Sequence, residues 1–361
     1  MSRGTCATID ARALATNLAK VREHAPNSRI WAAIKADAYG HGAVETARAL
    51  HAADGFALAT LDEAQALRDA GIQHPLILLE GTVDADQARQ AIALGCATVV
   101  HQAEQLAQLE ALGPLVRDQS LWLKIDTGMH RLGVAPEAVA DYWQRMSALS
   151  ALPVGLLSHF AAADEADAAP TESQLAVFER CERQVGSVPC SLANSAGILA
   201  WPNSHRDWVR PGIMLYGASP GFGKTGQQLG LQPAMTLTSP VIALRDIAVG
   251  ERVGYGGRWT AQRPSRIATL AIGYGDGYPR QAPDGTPVWL NGQRVPMAGK
   301  VSMDMITVDV TDVPMVQIGD HAELWGNHLS VDEVAANIGT VGYELLTRVS
   351  SRVPRHWRHL D

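Results

Sequence analysis

The chain has 361 residues, which exceeds the usual size of one domain and makes two domains the natural expectation. Hydrophobic residues make up 47% and charged residues 19%, a balance typical of a chain with a large buried core and not of a disordered one. The formal net charge of −7 argues against nucleic acid or an anionic membrane as the main partner.

The sequence also bears on the cellular compartment. No segment is long and apolar enough to span a bilayer, and the first twenty residues lack the apolar stretch of a signal peptide. The four cysteines show no CxxC pairing, which favours reduced thiols over a disulfide framework. We therefore expect a globular protein of the cytoplasm.

Short apolar runs alternate with helical stretches from residue 30 onward. Asp62 and Asp84 are predicted to cap two of the helices, which should end near Gly71 and Gly95. Eight such units indicate a closed parallel (β/α)8 barrel, and a doubly wound open sheet is the alternative. The predicted strands are Ile30–Ala36, Gly55–Thr60, Pro75–Glu80, Ala97–His101, Leu121–Asp126, Val154–His159, Cys190–Asn194 and Trp208–Arg210.

The character of the sequence changes after Tyr216. The glycine-rich segment 217–230 has no periodicity and is predicted to cross between domains. Asn291-Gly292 stands between two apolar alternations and predicts a tight hairpin. We therefore predict an α/β protein with a barrel over residues 1–230 and a mostly-β domain over residues 231–361. The other β-type runs are Met235–Ala243 and Arg266–Gly273, and helical patterns lie at Val331–Ile338 and near Tyr343.

Polar side chains follow the apolar strands, at the end of a barrel where reactive groups collect. Lys35 is the most informative of them. Burial disfavours the charged ammonium and so favours a lysine that forms a Schiff base or acts as a general base, whereas an isolated lysine at the barrel rim is the alternative. The residues at these strand ends include Lys35, Glu80, Lys124, Asp126, His159, Asn194, Ser195, Arg210 and Gly212.

The ends of the seventh and eighth strands predict a phosphate site, as is common in barrels. Asn194-Ser195 offers a hydroxyl and backbone amides, and Gly212-Ile213 allows a close approach of the backbone. A phosphate site opposite Lys35 would hold a phosphorylated aldehyde across the barrel mouth. Pyridoxal 5′-phosphate (PLP) is the cofactor that fits this description.

These residues stand in motifs that resemble the alanine racemase family along nearly the whole chain. The order of the motifs also matches the family. Lys300 and Ser302 depart from the pattern, because many members carry Arg and Cys there. The motifs are KADAYGHG, LKIDTGMHRLG, SHFAAADE, ANSAG, VRPGIMLYG, VGYGG, IGYGDGY, GKVSMDMITVD and GYELL.

The resemblance implies a PLP-dependent racemase that interconverts L- and D-alanine, for peptidoglycan supply or for alanine catabolism. It implies a homodimer with shared sites, in which Lys35 and the opposite subunit's Tyr255 are the two catalytic bases. Arg131 and the N–H of Met303 would bind the substrate carboxylate. The implied cofactor contacts are Lys35, Tyr39, His159, Asn194, Ser195, Arg210, Gly212, Ile213 and Tyr343. The implied supporting and corridor residues are Lys124, Asp164, Tyr274, Arg280 and Asp304.

Two of these roles have a direct physical reason. An arginine is effectively always protonated, so Arg210 facing the pyridine nitrogen would keep that nitrogen from gaining a proton and would limit side reactions. Carbamylation of Lys124, which is frequent in the family, would turn a cation that repels Arg131 into an anion that holds it.

Four other kinds of site or function fit the sequence less well. Ala218–Thr225 resembles a relaxed nucleotide-binding loop, but no helical pattern follows Lys224. The twelve histidines form no paired-ligand spacing, so we expect no protein-bound metal. A non-catalytic PLP carrier would not need Tyr255 or the β domain. A PLP decarboxylase on the same plan would place a carboxylate, not Arg210, at the pyridine nitrogen.

Overall fold

The computed structural model describes residues 3–360 of the chain. Strand β1 (Cys6–Asp10) is followed directly by helix α1 (Ala11–His24). Asp10 caps this helix, because its side chain accepts a hydrogen bond of 2.9 Å from the N–H of Arg12. The buried side chains of α1 include Leu14, Leu18 and Val21.

A closed parallel barrel forms the first part of the molecule. Each strand pairs in parallel with the next, and the last pairs with the first, Arg29 with Trp208 and Ile30 with Val209. The predicted barrel is confirmed, and the open sheet is excluded by this closure. The strands are β2 (Arg29–Ala33), β3 (Gly55–Leu58), β4 (Leu76–Leu78), β5 (Cys96–Val100), β6 (Leu121–Lys124), β7 (Gly155–Leu157), β8 (Cys190–Ser191) and β9 (Trp208–Val209).

Helical segments follow the strands around the barrel. Asp84 caps its helix as predicted, accepting from the N–H of Gln87 at 2.8 Å. The predicted cap at Asp62 is wrong: Thr60 is the cap, because its hydroxyl accepts from Glu63 and the Glu63 carboxylate reaches back to the N–H of Thr60. The segments are α2 (Lys35–Gly40), α3 (Ala43–Ala49), α4 (Leu61–Asp69), α5 (Ala85–Ala93), α6 (Ala103–Leu112), α7 (Val139–Leu149), α8 (Ala169–Val185) and α9 (Ser195–Ala200).

A mostly-β domain follows, as predicted. Its hairpin turns at Asn291 and Gly292, whose φ angles of 47° and 86° are those of a tight two-residue turn. The strands are β10 (Met235–Ile247), β11 (Arg252–Val253), β12 (Trp259–Thr260), β13 (Ser265–Leu270), β14 (Pro287–Leu290), β15 (Gln293–Pro296), β16 (Ile306–Asp309), β17 (His321–Trp325) and β18 (Arg355–Arg358). The helices are α10 (Val331–Ile338) and α11 (Gly342–Arg348), where the sequence predicts them.

Strand β1 lies in the sheet of the β domain and not in the barrel. It pairs antiparallel with β10 and parallel with β18, in the order β15-β14-β17-β10-β1-β18. This strand is not among those predicted from the sequence. The sheet therefore takes strands from both sides of residue 230, and the division of the chain at that residue stays a prediction.

The glycine-rich crossing does not form a nucleotide-binding loop. A 3₁₀ turn over Gln227–Leu229 follows Lys224, where a nucleotide site needs an α-helix. The carboxylate of Asp332 instead accepts hydrogen bonds from the N–H groups of Ser219 and Gly226 and ties the crossing to α10. Within residues 3–360, every helix is too short or too polar to cross a membrane.

Candidate active site

A cavity of about 770 Å³ opens at the C-terminal ends of the barrel strands, beneath helix α11. The β domain covers one side of it through Val341, Tyr343, Glu344 and Thr347. Eleven of the predicted site residues line this cavity: Lys35, Tyr39, Lys124, Arg131, His159, Asn194, Ser195, Arg210, Gly212, Ile213 and Tyr343. The structure thus brings the predicted lysine, the predicted phosphate site and the predicted carboxylate-binding arginine into one space.

The segment that follows Lys35 has a left-handed backbone. The φ angles from Ala36 to Tyr39 are 52–53°, a conformation that costs each L-residue roughly 1–2 kcal/mol. Surrounding groups hold it there. Nδ1 of the buried His41 lies 3.0 Å from the carbonyl oxygens of both Ala38 and Tyr39. Such strain, kept by its surroundings, is typical of functional sites.

A second group holds the start of this left-handed turn. The carboxylate of Glu63 accepts a hydrogen bond of 2.7 Å from the N–H of Ala36 and another of 2.8 Å from the N–H of Ala59. It therefore joins the ends of β2 and β3 at the cavity rim. Neither Glu63 nor His41 is predicted as a site residue from the sequence, although His41 stands in the KADAYGHG motif.

Tyr39, Ser195 and Gly212 form one corner of the cavity. A Cβ atom on Gly212 would lie 2.4 Å from the hydroxyl oxygen of Tyr39, so only glycine allows this contact. The Ser195 hydroxyl accepts from the N–H of Gly212 at 2.9 Å, and Asn194 caps α9 by accepting from Gly197. Burial raises the pKa of Tyr39 to about 12, so its hydroxyl stays a hydrogen-bond donor at neutral pH.

Arg210 is 5% exposed and lines the cavity. One terminal nitrogen donates to Ser191 Oγ at 2.6 Å, and the other donates to Ser158 O at 2.5 Å and Leu192 O at 3.1 Å and lies 3.3 Å from His159 Nδ1. Its Nε has no acceptor among the described residues. Burial lowers the pKa of Arg210 to about 10, which still leaves it protonated at neutral pH.

His159 is neutral in this setting. Burial is the main cause, and the nearby cations, with Arg210 first, add to it; together they hold the pKa of its imidazole well below the ordinary value. Because Arg210 donates toward Nδ1, that nitrogen is the acceptor and Nε2 carries the proton.

Lys124 is a buried amine among other cations. Its side chain is 8% exposed and lines the cavity beside Arg131. Burial first, and then the charges of Arg210, Arg131 and Lys35, together lower the pKa of Lys124 to about 8, opposed by Glu80. The cavity therefore carries an excess of positive charge, which suits a ligand with a phosphate and a carboxylate.

Six predicted site residues lie outside this cavity. Tyr255 and Met303 are 69% and 53% exposed on the β domain, where Tyr274 and Arg280 are also exposed. Asp304 forms an ion pair with Arg352 at 2.6 Å. Asp164 lies on a barrel loop, packed so closely against Gly221 that a Cβ there would come within 2.5 Å of its carboxylate. One chain alone does not bring this set to Lys35.

The residues from 3 to 360 contain no group of three or more His, Cys, Asp or Glu side chains that could hold a metal ion. Their four cysteines are free.

Comparisons with known proteins agree with this geometry. The family model for the N-terminal domain of alanine racemase matches residues 9–220, and that for the C-terminal domain matches residues 234–357. The alanine racemase of Chromohalobacter salexigens is 50% identical over the full length of both chains, and that of Vibrio cholerae is 48% identical over 97% of each.

Solved structures give the same result. The biosynthetic alanine racemase of Pseudomonas aeruginosa is 47% identical and superposes with a TM-score of 0.96, covering 99% of this chain and 100% of that one. The Bartonella henselae alanine racemase, solved with covalently bound pyridoxal phosphate, is 31% identical with a TM-score of 0.88, covering 98% and 99%. The chain therefore belongs to the alanine racemase family and is an amino-acid racemase.

Proposed function

We propose that this enzyme interconverts L- and D-alanine with PLP bound in the barrel cavity, as a homodimer in which each site takes residues from both chains. The observation that carries the proposal is the meeting of Lys35, the Tyr39–Ser195–Gly212 corner and Arg210 in one cavity. The relatives named alanine racemase support the substrate, and the Bartonella structure supports the cofactor.

The residues present fit PLP. Lys35 is half-buried at the cavity mouth and supplies the amine for covalent attachment. The hydroxyls of Tyr39, Ser195 and Tyr343, with the backbone of Gly212 and Ile213, would hold the phosphate, because a side chain on Gly212 would fill that space. When bound, PLP withdraws electrons from the α-carbon of the amino acid and so acidifies its α-hydrogen.

Arg210 would face the pyridine nitrogen through its free Nε. Its Nη atoms are fixed by Ser191, Ser158 and Leu192, so its orientation is determined before any ligand binds. Because Arg210 is protonated at neutral pH, it can donate to that nitrogen but cannot accept from it. His159, as a neutral imidazole, would pack beside the ring. This electrostatic setting favours racemisation over decarboxylation.

Arg131 would bind the substrate carboxylate, together with the N–H of Met303 of the partner subunit. Lys124 lies close to Arg131, and the positive charge of Arg131 lowers the pKa of Lys124. Carbamylation of Lys124 would reverse the sign of this interaction and hold Arg131 in place. Lys35 would move a proton on one face of the substrate, and Tyr255 of the partner subunit would do so on the other.

The corridor to the site would form where Asp164 of one chain faces Tyr274 and Arg280 of the other. An opposite-charge pair at a narrow entrance admits a small zwitterion and excludes bulkier amino acids. The Pseudomonas aeruginosa relative is described as biosynthetic, which supports a role in supplying D-alanine for peptidoglycan over alanine catabolism. The free cysteines support a cytoplasmic location.

One experiment tests the cofactor, the lysine and the reaction together. We expect the purified protein to absorb visible light, borohydride to bleach that band, and mass spectrometry to find the reduced adduct on Lys35. Incubation with L-alanine should yield D-alanine without carbon dioxide. An adduct on another lysine would contradict the cavity assignment. Carbon dioxide release would favour a decarboxylase, and a bound cofactor without turnover would favour a carrier.

A further inference from the structure

Two loops of the β domain, one carrying Tyr274 and the other carrying Met303, are joined by hydrogen bonds that orient the backbone N–H of Met303. The N–H of Tyr274 donates to the carbonyl of Ser302 at 3.0 Å, and that of Gly275 donates to the carbonyl of Met303 at 2.8 Å. The peptide between Ser302 and Met303 is planar and trans, so its N–H points away from its carbonyl. Fixing the Ser302 carbonyl on Tyr274 therefore fixes the direction of the Met303 N–H. This N–H has no acceptor in the part of the chain that the structure describes.

The two loops are packed too closely for side chains at two positions. A Cβ on Gly273 would lie 2.3 Å from the carbonyl oxygen of Ser302. A Cβ on Gly275 would lie 2.2 Å from Nη1 of Arg352 and 3.0 Å from the carbonyl oxygen of Met303. These glycines let the loops touch and let the Arg352 guanidinium lie across both.

A buried carboxylate stands at the centre of this contact. Asp276 is 3% exposed, and its Oδ2 accepts from the N–H of Gly273 at 3.0 Å and from Arg3. Its Oδ1 lies 3.5 Å from Nε of Arg352. Asp276 closes the turn that carries Tyr274, and the two arginines balance its buried charge.

The same two arginines extend to the second loop. Nη2 of Arg352 donates to Oδ1 of Asp304 at 2.6 Å, and Nη1 of Arg3 donates to the carbonyl of Asp304 at 3.1 Å. The hydrogen bond from Arg352 lowers the pKa of the Asp304 carboxyl. Arg352 therefore bridges the buried carboxylate of one loop to the residue directly after Met303 on the other.

Ser302, which departs from the family pattern, adds a local closure. Its hydroxyl donates to the carbonyl of Met305 at 2.8 Å and accepts from the Met305 N–H at 3.2 Å. The loop is thus fixed within itself and against Tyr274. The position of the whole loop on the β domain depends in addition on Arg352 and Asp276, which join it to the turn that carries Tyr274.

We propose that Arg352 and Asp276 are positioning residues that aim the Met303 N–H at the substrate carboxylate bound in the opposite subunit. The inference rests on the proposed function, which supplies the shared site. Because a carboxylate contact is made equally by substrate and transition state, its loss raises KM more than it lowers kcat. Arg352→Met should raise KM for alanine about tenfold, the loss expected when one charge-assisted hydrogen bond is misaligned. Arg352→Lys should recover only part of this, because an ammonium lacks the planar fork that spans two carboxylates.

Mixed dimers with two different affinity tags test whether the effect acts across the interface. In the first arrangement, Lys35→Ala and Arg352→Met lie in the same chain, opposite an unsubstituted chain. In the second, each chain carries one of the two substitutions. A matched control replaces Arg352→Met by Arg263→Met, because Arg263 makes an exposed ion pair with Asp312 in the same domain. The reference is a dimer of one Lys35→Ala chain and one unsubstituted chain.

The single live Lys35 faces an altered β domain only in the first arrangement. We expect the raised KM there, and the reference value in the second arrangement and in the Arg263 control. If KM in both arrangements equals that of the reference dimer, the inference is overturned. An equal increase of KM in both arrangements would also overturn it, because it indicates a general loss of structure. An increase confined to the second arrangement would show action within one chain and would also overturn it. Failure to isolate any double-tagged dimer contradicts the shared-site function itself, so the two failures are distinguishable.

Discussion

Lys124 illustrates how one buried charge sets both stability and reactivity. Its pKa is about 8 in the folded protein, against an ordinary value near 10.5. Between these values the unfolded chain binds more protons, so stability should rise with pH across that window; below pH 8 the full cost applies. Lys124→Met should therefore stabilise the protein at pH 7 by at most about 3 kcal/mol, and the gain should vanish near pH 10.5. Urea unfolding at both pH values in carbon dioxide-free buffer measures this.

The exposed Lys224 provides the control, because Lys224→Met should give no gain at either pH. Bicarbonate should reduce the difference in stability between Lys124→Met and the unsubstituted protein. A neutral Lys124 amine attacks carbon dioxide, loses a proton and becomes an anionic carbamate, so bicarbonate should stabilise the unsubstituted protein and add the mass of carbon dioxide in a native spectrum. Activity and mass that are both indifferent to bicarbonate would contradict carbamylation.

Tyr255 should serve one face of the substrate only. In Tyr255→Phe, racemisation should fall by roughly 10²- to 10⁴-fold, because a positioned general base is lost. Lys35 should still exchange the α-hydrogen of D-alanine with solvent, whereas the exchange for L-alanine should be lost. Proton NMR in deuterium oxide follows both exchanges. Tyr142→Phe, on barrel helix α7, is the control, and racemisation by Tyr255→Phe at the unsubstituted rate would refute the two-base mechanism.

At the scale of elements, the left-handed turn after Lys35 makes an unusual prediction. Ala36 has a φ angle of 52°, which glycine adopts without cost, whereas Ala66 lies exposed within the right-handed helix α4. Ala36→Gly should be neutral or stabilising by up to about 1 kcal/mol, because relief of strain offsets the greater freedom of the unfolded chain. Ala66→Gly should destabilise by about 1 kcal/mol. Chemical denaturation of the cofactor-free proteins compares the two, and losses of equal size would mean that the turn is unstrained.

The sequence predicts the regular elements well and the exceptions poorly. The eight barrel strands are continuous apolar runs, so their number and order follow from local pattern, as does the hairpin at Asn291-Gly292. The left-handed turn carries alanine, aspartate and tyrosine, none of which favours that backbone strongly, so only its tertiary contacts determine it. Strand β1 is short, and its partners lie hundreds of residues away. The Asp62 error arose because Thr60 offers an equally good cap with Glu63 three residues later.

The site residues also fall into those that the sequence pattern predicts and those that it does not. Residues at strand ends, such as Lys35 and Arg210, follow from the barrel itself. Tyr255 and Met303 could be named only through the resemblance, because they stand exposed on another domain and nothing local marks them as parts of a site.

For the whole molecule, activity should depend on the association of two chains. Lys35 lies in the cavity, whereas Tyr255 is 69% exposed on the β domain of the same chain. Dilution to the point of dissociation should therefore abolish activity, and reconcentration should restore it. Sedimentation velocity at the assay concentration, with activity measured in parallel, tests this. A fully active monomer would overturn the shared site.

The proposed corridor predicts a change of selectivity. Replacing Arg280 by Ala should alter the KM for alanine and increase turnover of larger amino acids, because one charge of the entrance is lost. Its effect on stability should stay within about 1 kcal/mol, since the side chain is exposed. Steady-state kinetics with a series of amino acids measures this, and the visible absorption of the cofactor should remain. Unchanged selectivity would remove Arg280 from the entrance.

The place of β1 in the sheet governs the order in which the protein can assemble. Ala7 pairs with Leu237 on one side and with Arg355 on the other, so β1 cannot complete its pairing until residue 355 has been synthesised. Contacts so distant in sequence form slowly, whereas all the barrel pairings except the closing one, β2 with β9, join strands that are neighbours along the chain. We therefore expect the barrel to begin folding during synthesis and the sheet to close last. In the proposed homodimer, the face that would serve a second chain would then be complete only on subunits whose synthesis has passed residue 358, so that unfinished chains would not dimerise.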